Sequence, residues 1–168
     1  MTPSIVRPRG FAAAGLALVL ASSSCRDAER ALSTNGANAP RSITPHAVVT
    51  RDGLVAIVTL TIDVHGDIGK IGSFTGHLRY DPTALAFDRE ETLSDGTMRA
   101  SNPESGSVRV AGASMSGVDV GQLAAFRFKV MDPAALNTLQ FDIDEIHELS
   151  RANVHALVRN PGAAGTKK

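Results

Sequence analysis

Residues 54–65 read LVAIVTLTIDVH. Val58, Leu60, Ile62 and Val64 alternate with Thr59, Thr61, Asp63 and His65. A period of two, rich in β-branched side chains, is the mark of a strand with one face buried and one face wet. The same alternation recurs along the chain. Phe74, Gly76, Leu78 and Tyr80 share one face, opposite Thr75, His77 and Arg79. Val108 with Val110 repeats it, as do Ala124, Phe126, Phe128 and Val130, with Arg127 and Lys129 outside. Leu139, Phe141 and Ile143 make one more such run, and residues 154–158 could close the set.

Turn signals fall between these runs. They are Asp52-Gly53, Gly66-Asp67, Asp81-Pro82, Asp95-Gly96, Asn102-Pro103, Gly117, Gly121 and Asp132-Pro133. Short strands punctuated in this way predict an all-β, antiparallel β-sandwich or jelly roll. No helix-length period separates the strands, which argues against βαβ units. The chain contains no internal repeat.

The 168 residues suit one domain with a single core. Basic and acidic side chains balance at 17 each, and two of the basic ones, Arg7 and Arg9, lie in the leader described next. The remainder is slightly acidic, which offers no electrostatic footprint for nucleic acid and no pull towards anionic lipid.

Residues 1–25 read as a signal sequence. Arg7 and Arg9 form a positive start, and residues 11–21 (FAAAGLALVLA) are an apolar run too short to span a bilayer as a helix. Ser22, Ser23 and Ser24 follow, then Cys25, the one cysteine of the chain. Pro8 splits the two arginines, so this is no twin-arginine signal. The stretch LASSSC resembles a bacterial lipoprotein box, although Ser22 stands where the box prefers Leu. That resemblance implies lipidation of Cys25 and membrane contact only through a lipid anchor; two acyl chains give stable anchoring where one does not. The alternative is an ordinary secretory signal cut near Ser23 or Ser24, leaving a free thiol. Either reading makes the protein exported. Residues 26–45 are expected to be a flexible linker, reaching about 25 Å as a random coil. Residues 46–158 are expected to carry the domain, and residues 159–168 to form a disordered tail.

Within residues 46–158 three stretches resemble the cohesin domain: VTLTIDV, IGSFTGHLRYDPTALAF and VRVAGASMSGVDVGQLAAFRFKV. The markers are Tyr80, Asp81, Pro82 and Leu85, then Gly121, Leu123, Ala124, Phe126 and Phe128. The resemblance implies a jelly-roll sandwich of about nine strands. It also implies a non-catalytic module that binds another extracytoplasmic protein, since cohesins hold dockerins, small calcium-loaded modules, on one sheet face. That face has no fixed residue motif. This chain carries no dockerin-type calcium loop, so such a partner is a separate protein. Parity places Ser73, Thr75, His77 and Arg79 on the outward side of one strand and Arg109 and Ala111 on that of its neighbour. These six form the candidate binding face, with Arg79 and Arg109 as the hydrogen-bonding residues.

Other chemistry is weakly encoded. Asp142, Asp144, Glu145 and Glu148 crowd one segment, DIDEIHE. Calcium needs six to eight converging oxygens and a glycosidase needs two carboxyls across a cleft, so a solvated acidic edge is the better reading. The five histidines have no metal-ligand spacing, and Ser114 and Ser116 form no nucleophile elbow. No cofactor, metal or catalytic residue is implied. Two rival functions remain. One is a carbohydrate-binding module acting in polysaccharide catabolism. It is disfavoured because the chain has no Trp, and Tyr80, Phe87, Phe126, Phe128 and Phe141 have core parity. The other is a structural envelope domain.

Overall fold

The computed structural model describes residues 40–161. The expected signal sequence, Cys25 and most of the expected linker and tail lie outside the described residues. Eight strands form two antiparallel sheets that pack face to face. They are β1 (Ser42–Asp52), β2 (Val55–His65), β3 (Ile71–Arg79), β4 (Leu85–Glu90), β5 (Met98–Glu104), β6 (Ser107–Ala113), β7 (Ala124–Val130) and β8 (Gln140–Glu148). One sheet has the order β1-β2-β7-β4 and the other β5-β6-β3-β8. Apart from the β1–β2 and β5–β6 hairpins, each connection crosses between sheets, as in a jelly roll.

The core lies where the alternation put it. Ala56, Val58, Leu60 and Ile62 of β2 meet Phe74 and Leu78 of β3, Val108 and Val110 of β6, and Phe126 and Phe128 of β7. Each of these residues is at most 3% exposed. Tyr80 is half-buried, its ring edge-on to Phe128 with centroids 5.0 Å apart.

Four expectations need correction. First, the structure starts earlier than residue 46: β1 takes in Ser42 to Pro45, at the end of the expected linker. Only Ile43 and Pro45 are buried at that end, too little to give a periodic signal. Second, Asn102 and Pro103 are not a turn but part of β5. The turn is Ser105-Gly106. β5 is an edge strand, so Pro103 costs no ladder bond if its missing N–H faces outward. Its inward positions carry Arg99 and Ser101, not apolar residues, and the period-two signal is lost. Third, residues 154–158 form no ninth strand. His155–Leu157 is a 3-10 helix, and only isolated bridges tie Asn153 to His147 and Val158 to Ile43. Fourth, the ordered chain runs past residue 158. The Asn160 amide accepts from the Ile143 N–H at 2.9 Å and donates to its carbonyl at 3.1 Å. The Arg159 N–H reaches the Ile43 carbonyl at 2.8 Å. The C-terminal segment thus covers part of the β8 edge and links it to β1.

β8 contains a bulge. Gly76 faces Ile143 while Thr75 faces Glu145, so Asp144 is the extra residue. A bulge shifts side-chain parity by one. This is why Phe141 and Ile143 point inward together with Ile146.

Candidate interaction face

All six candidate residues lie on the outer face of the β5-β6-β3-β8 sheet. Cross-strand pairing arranges that face in four rows. Glu104, Ser107, Arg79 and Gln140 form the first, and Asn102, Arg109, His77 and Asp142 the second. Ala100, Ala111, Thr75 and Glu145 form the third, and Met98, Ala113, Ser73 and His147 the fourth. The strands fix the positions; the choice of side chains divides the face into two halves of different character.

The first two rows are charged. His77 stands between two carboxylates, with Nδ1 3.0 Å from Asp144 Oδ1 and Nε2 3.6 Å from Asp142 Oδ2. Arg79 donates to the same Asp142 oxygen. Asp142 was expected on a solvated acidic edge. It is instead only 5% exposed, because Arg79 and His77 close over it. Its Oδ1 has no hydrogen-bond partner among the described residues. Arg79 therefore neutralises a buried charge, and Arg109, which is exposed, is the cation of the six left for a partner.

The last two rows are built of small side chains. Ser73, Thr75, Ala100, Ala111 and Ala113 floor a concavity of about 370 Å³ between Met98 on one side and Glu145 with His147 on the other. A second concavity of about 410 Å³ shares Thr75, Ala100 and Ala111 and extends towards Asn102 and Arg109. Together they make one shallow trough across the sheet. Exposed apolar side chains gather at its small-residue end: Met98, with Met115 and Leu149 beside Ser73 and His147. Glu145 Oε1 lies 2.8 Å from His147 Nε2 and holds that imidazole's pKa above its ordinary value.

The sequence reading found β3 and β6 of this face but not its flanks. Met98, Ala100 and Asn102 were hidden because β5 has no apolar side. Glu145 and His147 were hidden because the bulge at Asp144 reverses their parity. The Tyr80-Asp81-Pro82 marker proves structural. The Tyr80 hydroxyl donates to the Glu104 carbonyl at 3.0 Å, and Asp81 Oδ1 accepts from the Thr83 N–H at 2.8 Å. The Thr83 hydroxyl also donates to Asp81 Oδ1, at 2.7 Å, and this bond first, then that from the N–H, keeps the Asp81 carboxyl below its usual pKa. Among the described residues no group of His, Cys, Asp and Glu has metal-binding geometry, and no helix is long and apolar enough to cross a membrane.

Solved structures that share this eight-stranded sandwich are cohesins. No protein-family model matches the sequence, and no curated protein sequence is recognisably similar to it. Solved structures are. A non-cellulosomal cohesin from the hyperthermophilic archaeon Archaeoglobus fulgidus superposes with a TM-score of 0.50 at 21% identity, over 69% of this chain and 83% of the other. The sixth cohesin of Acetivibrio cellulolyticus scaffoldin B, solved in complex with a mutant Cel5 dockerin, superposes with a TM-score of 0.51 at 18% identity, over 73% and 96%. At such identities the likeness is one of fold.

Proposed function

We propose that this domain is a non-catalytic binding module that holds another protein on the outer face of the β5-β6-β3-β8 sheet. The observation that carries the reading is the trough. Small side chains let a partner's backbone or helix approach closely, Met98, Met115 and Leu149 offer apolar contact, and Arg109 offers an exposed cation. Interfaces commonly combine an apolar centre with arginine in this way. The cohesin fold adds support, since the scaffoldin B neighbour is in complex with a dockerin. A dockerin-bearing or similar extracytoplasmic protein is the proposed partner. Polysaccharide is the weaker choice: among the described residues, every Phe and Tyr ring is used in packing, and none lies on this face. The export signal and lipidation of Cys25 complete the proposal, placing the domain at the cell envelope.

The test uses Ala111→Arg, which fills the trough floor from the outer face and leaves the core untouched. Beads bearing the domain are challenged with a panel of calcium-loaded dockerin modules and with insoluble polysaccharide. Ala111→Arg should abolish dockerin retention with no change in melting temperature, and Arg109→Glu should weaken it. Retention unchanged by both variants removes this face; retention on polysaccharide alone favours the glycan reading. Arg79 is unsuited to this test, because its removal strands Asp142. Labelled palmitate should enter the wild type and not Cys25→Ala.

A further inference from the structure

The β1–β2 hairpin turns over Gly53 and Leu54, with Asp52 opposite Val55. Gly53 supplies the positive φ, +58°, that such a tight turn needs at its first position. A two-residue connection makes its flanking residues a hydrogen-bonded pair, and hydrogen-bonded pairs recur at every second residue. Asp52, Thr50, Val48, His46 and Thr44 therefore direct their peptide groups to β2. Arg51, Val49, Ala47, Pro45 and Ile43 direct theirs off the edge of the sheet. Two details agree. The Ile43 carbonyl accepts the Arg159 N–H across that edge. Pro45, which has no N–H, occupies an outward position, where the β1–β2 ladder loses nothing.

Among the described residues, the outward peptide groups of Ala47, Val49 and Arg51 have no backbone partner. A row of unpaired peptide groups on an exposed strand is a template for another strand. We propose that β1 of a second copy fills it, running antiparallel about a twofold axis at Val49. The two four-stranded sheets then join into one across the dimer.

Self-complementarity selects this register. Outward peptide groups must meet outward ones. Setting Val49 opposite Val49 places Ala47 opposite Arg51 and uses every free position. A shift of two residues in one direction brings Arg51 against Pro45, which cannot donate. A shift in the other brings Ala47 against Gly53, in the turn. The chosen register also sets Val48 opposite Thr50 and His46 opposite Asp52 on the outer face. These are non-hydrogen-bonded pairs, where side chains come closest. Val48, 52% exposed in the single chain, gains a β-branched neighbour. His46, already 3.0 Å from Asp63, gains a second carboxylate, and no like charges stand directly opposite each other. The partner's turn falls beside Pro45 and Thr44, where the Arg159 contact ends the free edge. The trough lies on the other sheet and stays open, so the dimer presents two of them and gains avidity for a multivalent partner.

The test is sedimentation velocity on the chain from residue 26 onward, whose core is complete within the described residues and which has no native cysteine. A concentration-dependent dimer is expected. Val49→Pro removes the central outward N–H as Pro45 does and should weaken association at least about tenfold. Val49 also packs on the core, so Asp52→Lys, a surface change that sets a cation against His46, should weaken it as well. An equimolar mixture of Val48→Cys and Thr50→Cys should oxidise to the mixed dimer in preference to either homodimer, the paired Cα atoms lying about 4.5 Å apart. A monomer at about 0.1 mM, a dimer indifferent to both substitutions, or unselective cross-linking would overturn the proposal.

Discussion

Arg99→Met should cost the domain about 3 kcal/mol at neutral pH. Arg99 is on β5 and points inward, with its side chain only 7% exposed. Its guanidinium grips Asp95, Nη1 to Oδ1 at 2.7 Å and Nη2 to Oδ2 at 2.5 Å. Nε donates to the Leu123 carbonyl at 2.5 Å and Nη2 to that of Gln122 at 3.2 Å. One side chain thus ties β5 to the residues entering β7 in the opposite sheet. Methionine keeps much of the volume but leaves a largely buried carboxylate and two carbonyls without a donor. Removing one member of a buried ion pair costs about 3–5 kcal/mol, and the low end applies because Asp95 keeps some contact with water. The pH dependence is diagnostic. The hydrogen bonds from Arg99, then those from Thr97, hold the Asp95 carboxyl far below its ordinary 3.8. A depressed folded pKa gives stability that is complete above the unfolded value and is lost as pH falls through the folded one. Urea unfolding should therefore show a constant gap between wild type and variant from about pH 5 to 8, shrinking below 3.8. A gap under about 1 kcal/mol at pH 7, the scale of an exposed pair, or a gap that does not change on acidification, would refute the reasoning.

Three further outcomes are expected. Phe128→Ala should lower stability by about 3–5 kcal/mol, while Lys129→Ala, next to it on the exposed face, should stay within about 0.5 kcal/mol; comparable shifts in thermal unfolding would disprove the parity. Gly76→Ala should cost about 2–3 kcal/mol, because a Cβ there would stand 2.6 Å from the Asp142 carbonyl, and backbone cannot give way as a side chain can. Hydrogen exchange should show the loss of amide protection centred on the β8 bulge. The His147 imidazole should titrate above its ordinary 6.5 in an NMR experiment and fall back in Glu145→Gln; the pair then adds stability on the acid side that fades as pH rises through the folded value.

Much of this protein follows from residue order alone. Alternation in residues 54–65, and around Phe74, Val108 and Phe126, decides which side chains are buried, because strand side chains point to opposite faces whatever the strand pairs with. That fixed the sandwich, the core and the outward set Ser73, Thr75, His77, Arg79, Arg109 and Ala111. Tertiary structure decided the rest, where local pattern and burial part company. Strand β5 buries an arginine in place of an apolar row, so nothing in MRASNPE announces a strand until Asp95, Gln122 and Leu123 are brought round it. The bulge at Asp144 sets His147 and Glu145 beside Ser73 and Thr75, a neighbourhood created by the pairing of β3 with β8. Asp142 reads as a solvated acid in DIDEIHE, yet it is sealed, since residues 63 and 65 positions earlier, Arg79 and His77, lie across the ladder from it. Sequence pattern reports which way a side chain points; which residues meet there depends on contacts between strands far apart in the chain.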